Sequence, residues 1–213
     1  MISRLTGLFS DSMEYRHRAA QLCEVGQTLY ARGMVPATSG NFSARLSCGH
    51  ILITMSGAHK GRLHPSQLML LEHDGTAASE GRASAEAGLH LQLYRRYPEV
   101  NAVLHPHSVS ATLLSRRSNN DCVLSGYELL KAFPGITTHE TTLTIPNFPN
   151  DQDVARLARH VDDWMNRHDP VVGYLISGHG FYTWGDSINA ALRHVEALEF
   201  LFDCELRESG VRT

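Results

Sequence analysis

The feature that most restricts this chain is the order in which short strand-like runs alternate with longer stretches of helical periodicity. NFSARL (41 to 46), ILITMSG (51 to 57) and MLLEHDG (69 to 75) read as strands, the first two joined by Ser47-Cys48-Gly49-His50. A helix is expected before them, running to Gly33 from Asp11-Ser12, where Asp11 and Glu14 have capping-box spacing. Further helices are expected from Ser84 over about 85 to 97, from Ser108 to Arg117, over GYELLKAF (126 to 133), over 151 to 167, and from about Asp186 onward. NAVLHPH (101 to 107), TTLTIP (141 to 146), VVGYLISG (171 to 178) and FYTWG (181 to 185) supply the other strands. This order is that of a mixed-sheet α/β or α/β/α domain.

At 213 residues the chain is expected to form one domain, 1–213, with a core that needs no disulfides. A formal charge of −3 gives no electrostatic case for nucleic acid or an acidic membrane. Cys23, Cys48, Cys122 and Cys204 are scattered with no CxxC pair and read as reduced thiols. With no export signal or membrane span legible, a cytoplasmic location is expected.

VLHPHS (103 to 108) ends an apolar run with two histidines one residue apart. Side chains at i and i+2 of a strand share a face, so His105 and His107 can reach one ion. Pro106 between them fits only at an edge or a strand end, where a cleft can open. Among thirteen histidines such a pair also arises by chance, and both readings stand on this evidence. His179, between Gly178 and Gly180 after another apolar run, favours the metal reading. Three imidazoles from two strand ends leave a tetrahedral zinc ion with an open position, as in catalytic sites. His17, His50, His59, His64, His73, His90, His139, His160, His168 and His194 have no metal spacing, and of these His139 is the one to watch as a site wall.

TSGNFSARL (38 to 46), ITMSG (53 to 57), SAE (84 to 86), VLHPHS and GHGFYTWG (178 to 185) occur in the order found in the class II aldolase/adducin family, which the chain resembles over nearly its whole length. SGAHKGRL (56 to 63), GYELLKAF and HVEALEFLFDCEL (194 to 206) are most similar to a zinc lyase branch of that family that acts in methionine salvage. The resemblance implies a three-layer αβα domain with a central mixed, largely antiparallel sheet. It also implies one Zn2+ per subunit on His105, His107 and His179, and a homo-oligomer, commonly a tetramer. The implied reaction is dehydration of 5-methylthioribulose 1-phosphate. A sugar-phosphate aldolase or pentulose-phosphate epimerase is the alternative, and a non-catalytic adducin-like interaction module a more distant one. Pro106 stands where the family usually has Thr, and Ser177 where a basic residue often precedes GHG.

By the same resemblance Ser39, Gly40, Asn41, Ser56, Gly57 and Ser84 are expected to hold the phosphate, with Lys60 adding charge. Two carboxylates compete for acid/base work. Glu128 matches the dehydratase segment and is the preferred proton shuttle, whereas Glu86 stands where the aldolases keep their catalytic Glu and is also a candidate fourth zinc ligand.

Overall fold

A strand covered on both faces needs apolar residues at every position rather than at alternate ones. Ile51–Thr54 (β2), Leu68–Leu71 (β3), Ala102–His105 (β4) and Gly173–Ile176 (β8) are buried throughout and satisfy this at every position but Thr54 and His105. The computed structural model describes residues 12–117, 121–168 and 170–210. Together with Asn41–Arg45 (β1), Asn147–Phe148 (β7) and Gly180–Gly185 (β9), those four runs form one sheet among the described residues, in the order β3-β2-β1-β4-β9-β8-β7. Every neighbouring pair is antiparallel except β7 and β8. Cys122–Ser125 (β5) and Thr142–Ile145 (β6) make a separate two-stranded ribbon.

Helices Met13–Ala31 (α1), Val109–Arg117 (α3) and Ile188–Glu208 (α5) cover one face, where Leu22, Leu29, Ala111, Leu198 and Phe202 pack with Phe42, Leu52, Leu104 and Phe181. Ala87–Arg96 (α2) and Val154–Met165 (α4) cover the other, with Leu89, Leu93 and Val161 against Ile53, Val103 and Tyr174. This is the three-layer αβα arrangement expected of the sequence, with a mixed, largely antiparallel sheet.

Differences from expectation have local causes. Ser12 caps α1 by accepting from Tyr15 N at 3.1 Å, but Glu14 instead accepts from Ser47 N and Oγ at 2.9 and 2.6 Å, tying the helix to the β1–β2 turn. Asp11 lies outside the described residues. GYELLKAF forms only a 3-10 turn, Glu128–Ala132, because Pro134 holds Phe133 extended (φ −94, ψ 149) and leaves too few residues for a stable α-helix. Asp153 caps α4 through Arg156 N, so that helix starts three residues later than Asp151. Strand β5 was not expected, since Val123 faces outward at 54% exposure between Cys122 and the buried Leu124, so the sequence shows no alternation of apolar and polar residues.

Candidate metal centre

Register places the first histidine. In the β1–β4 pairing Asn41 lies opposite His105 and Ser43 opposite Val103, so all four face α2. A side chain at position 40 would strike the His105 carbonyl, 2.7 Å from an ideal Cβ, and φ there is +74°; only glycine lets β1 begin this close to the strand end. Gly180 has the same role on the other side, because a Cβ there would run into the Pro106 carbonyl. Phe181 N donates to that carbonyl at 3.2 Å, which brings the GHG turn against His107. Pro106 thus sits at a strand end and presents its carbonyl where its missing N–H costs nothing.

The three histidines meet as the sequence predicts. Ring centroids are 4.6 Å apart for His105 and His107, 4.4 Å for His107 and His179, and 5.1 Å for His105 and His179. His105 Nδ1 donates to Phe181 O at 2.8 Å, which leaves Nε2 as the lone-pair atom, 2.8 Å from His107 Nε2. Glu86 is the fourth member, with Oε2 3.5 Å from His105 Nε2 and Oε1 3.3 Å from His179 Nε2. It occupies the N-cap position of α2 but makes no side-chain cap, so its carboxylate is free to turn to the imidazoles. One ligand atom from each of the four residues lies within 4.8 Å of the others.

The electrostatics suit a cation. Burial, then the neighbouring His179, hold His105 well below the usual imidazole range, and burial with His105 beside it brings His107 down to about 3. Both are neutral at physiological pH, the form that ligates metal. His179 Nδ1 is buried with no hydrogen-bond partner among the described residues. Three imidazoles and one carboxylate are a donor set that fits a first-row divalent ion such as zinc.

The expected phosphate residues divide. Ser56 and Gly57 are exposed on a turn with Gly57 at φ +75°, and Ser39 Oγ is buried without a partner among the described residues. Asn41 and Ser84 instead turn their side chains toward Glu86: Asn41 Nδ2 donates to Glu86 Oε2 at 2.7 Å and lies 3.4 Å from Ser84 Oγ, which also accepts from Glu86 N at 3.3 Å. Lys60 is a buried cation. It is 2% exposed and donates to Thr38 O and Ala58 O at 2.9 and 2.7 Å, joining the TSGN and MSG turns. Desolvation lowers its pKa to about 8 against the opposing pull of Glu86.

Glu128 stands outside the four-residue group. Its side chain is 72% exposed, accepts from Lys131 Nζ at 2.5 Å, and lies 3.5 Å from His139 Nδ1. The Lys131 hydrogen bond is the main cause that holds its carboxyl below the ordinary range. His139 therefore belongs with Glu128 rather than with the histidine cluster. Sequence reasoning missed Tyr182, whose ring stacks on His105 at 4.0 Å and 12°. Its role depends on the β4–β9 register, which no local pattern reports.

Residues 20–206 match the family described as Class II Aldolase and Adducin N-terminal domain. The chain belongs to the class II aldolase and adducin family. Among curated members, the methylthioribulose-1-phosphate dehydratase of Methylococcus capsulatus is 56% identical over 199 residues, covering 93% of this chain and 98% of that protein. The enzyme of the same name from Sorangium cellulosum is 51% identical, with 91% and 93% covered. The solved L-fuculose-1-phosphate aldolase of Thermus thermophilus is similar in fold, with a TM-score of 0.70, 26% identity, and 98% and 97% of the two chains covered. No helix among the described residues is long and apolar enough to cross a membrane.

Proposed function

We propose that this class II aldolase family member dehydrates 5-methylthioribulose 1-phosphate to 5-methylthio-2,3-dioxopentyl phosphate in methionine salvage, as a cytoplasmic, zinc-dependent homotetramer of single-domain subunits. The observation that carries the reading is the convergence of Glu86, His105, His107 and His179 in a chain 56% identical to a named dehydratase. His105, His107 and His179 would hold the ion, with the Glu86 carboxylate beside them. A divalent ion bound there would supply Lewis acidity toward the substrate's carbonyl and so make the adjacent C3 proton easier to remove.

The chain's own groups then move protons. A carboxylate takes the proton from C3, and the C4 hydroxyl leaves as water after receiving a proton from that same carboxyl. The enol left behind ketonises to the diketone, so atoms balance without a redox cofactor. Glu128 is the assigned shuttle. Lys131 keeps it ionised and ready to accept a proton, and its exposure on the Glu128–Ala132 turn suits delivery to the centre of a neighbouring subunit. The turns at Ser39 to Asn41 and Ser56 to Gly57, braced by Lys60, receive the phosphate through backbone N–H groups and hydroxyls.

The place of Glu86 beside the histidines favours one rival, an aldolase or epimerase reaction that breaks or re-forms the C3–C4 bond. Incubation with methylthioribulose 1-phosphate, beside fuculose and rhamnulose 1-phosphates, separates the two. Diketone from the first alone is expected; cleavage of either control with no diketone would replace the dehydratase reading. Glu128→Gln is expected to lower turnover roughly 100-fold or more with metal retained, the usual scale of acid/base catalysis. Full activity in Glu128→Gln with none in Glu86→Gln would transfer the shuttle to Glu86.

A further inference from the structure

Beneath the centre runs a polar row in an otherwise apolar layer. Glu86, His90 and Tyr94 recur at intervals of four along one side of α2 and its N-terminus, and Asn41 and Ser43 at an interval of two on the facing side of β1. The two periodicities mesh. Asn41, Ser43 and His90 are 2%, 0% and 0% exposed, and Tyr94 is 6%. Placing so many polar groups here is costly unless each is satisfied, and each is. Ser43 Oγ lies 2.7 Å from His90 Nδ1 and 2.8 Å from Tyr94 OH, while His90 Nε2 meets Asn41 Oδ1.

The direction of every proton in this row follows from its end. Only the NH2 of Asn41 can face the Glu86 carboxylate, so Oδ1 faces His90 and must accept from Nε2–H. Burial holds His90 neutral, with a pKa of about 3, so Nδ1 is a lone pair. The proton it accepts is that of Ser43, which in turn accepts from the phenol of Tyr94. Five side chains are thus arranged donor to acceptor from Tyr94 to Glu86, and the last bond reaches the oxygen that faces His105.

We infer that Tyr94, Ser43 and His90 are positioning residues that, through Asn41, fix the orientation of the Glu86 carboxylate at the metal centre. Were His90 to take the other tautomer, Asn41 would have to turn its oxygen toward Glu86, and the carboxylate would be pushed off the imidazoles. A row that merely set the helix-to-strand register would stabilise the fold without affecting the centre. The inference rests on reading Glu86 as a member of that centre, but two of its measurements need no turnover.

In protein labelled with 15N-histidine, the ring signals lost in His90→Gln identify His90. A neutral Nε2–H ring is expected in the wild type, and loss of that fixed tautomer in Ser43→Ala. An imidazolium or an Nδ1–H ring in the wild type would overturn the inference. By chelator competition Ser43→Ala and His90→Leu are expected to bind zinc about tenfold or more weakly, the scale on which outer partners tune metal ligands. His90→Gln, which keeps an N–H toward Asn41, should recover most of the affinity. Wild-type zinc affinity in Ser43→Ala and His90→Leu, with only their melting temperatures lowered, would reduce the row to a structural one. If the wild type fails to dehydrate the pentulose phosphate while these results hold, the assigned reaction is wrong and the positioning row stands.

Discussion

Replacing Lys60 by Met tests whether a buried charge joins the TSGN and MSG turns. The ammonium is 2% exposed, and α1 packs so closely here that a side chain on Gly26 would collide with the Lys60 carbonyl. Its pKa falls from 10.5 to about 8 on folding. The folded value lies below the unfolded one, so between pH 8 and 10.5 the unfolded chain binds more protons, and the stability contributed by this group rises with pH through that window. Integrating the two titrations gives a gain of about 2 kcal/mol between pH 8 and pH 10. Cys122, pushed up to about 12 mainly by burial, and the buried tyrosines work the other way at high pH. Subtracting a Lys60→Met variant removes those shared contributions. Urea unfolding of chelator-treated wild type and variant at both pH values is therefore expected to show the wild type gaining about 2 kcal/mol on the variant at the higher pH. The methionine leaves Thr38 O and Ala58 O unpaired, about 1–3 kcal/mol each if water does not reach them, so the comparison must be made at both pH values rather than at one. A difference that stays constant, or falls, as pH rises would mean that Lys60 is not a desolvated cation, and the bracing of the two turns would need another cause.

The remaining expectations concern the centre and its approach. His107→Ala should lose both bound metal, measured by elemental analysis, and turnover; full zinc in that variant would remove His107 from the ligand set. Gly180→Ala forces a methyl against the Pro106 carbonyl and should cost about 1–3 kcal/mol by thermal unfolding, with weaker zinc binding as the GHG turn moves away from His107. A wild-type melting curve would show that the close approach is not required. Ser56→Ala should raise KM more than it lowers kcat, the pattern of lost uniform binding, and the reverse pattern would place Ser56 at the reacting atoms instead.

What the sequence shows and what it hides are separated by the range of the interactions involved. Leu52, Leu104 and Leu175 lie in short apolar runs whose strand character is local, so the central sheet was legible from their neighbours. His105 and His107 were legible for the same reason, since the two-residue period sets their shared face before any partner is known. His179 stood out through the glycines beside it and the apolar run before it. The burial of Lys60 was not legible, because nothing in AHKGRL reports that α1 will cover it, and that cover exists only where Gly26 lets a helix approach from more than thirty positions away in the chain. His90 was set aside for want of metal spacing, yet the i, i+4, i+8 series Glu86, His90, Tyr94 was present in the sequence all along. Read alone it is one side of a helix carrying mixed polar residues. It acquires meaning only opposite Asn41 and Ser43, whose two-residue spacing is equally unremarkable in isolation. When a carboxylate stands at the head of such a helical series and a histidine of the cluster faces the matching strand position, as His105 faces Asn41 here, the two weak patterns constrain each other: the register that pairs His90 and Tyr94 with Asn41 and Ser43 is also the one that delivers the carboxylate to the histidines.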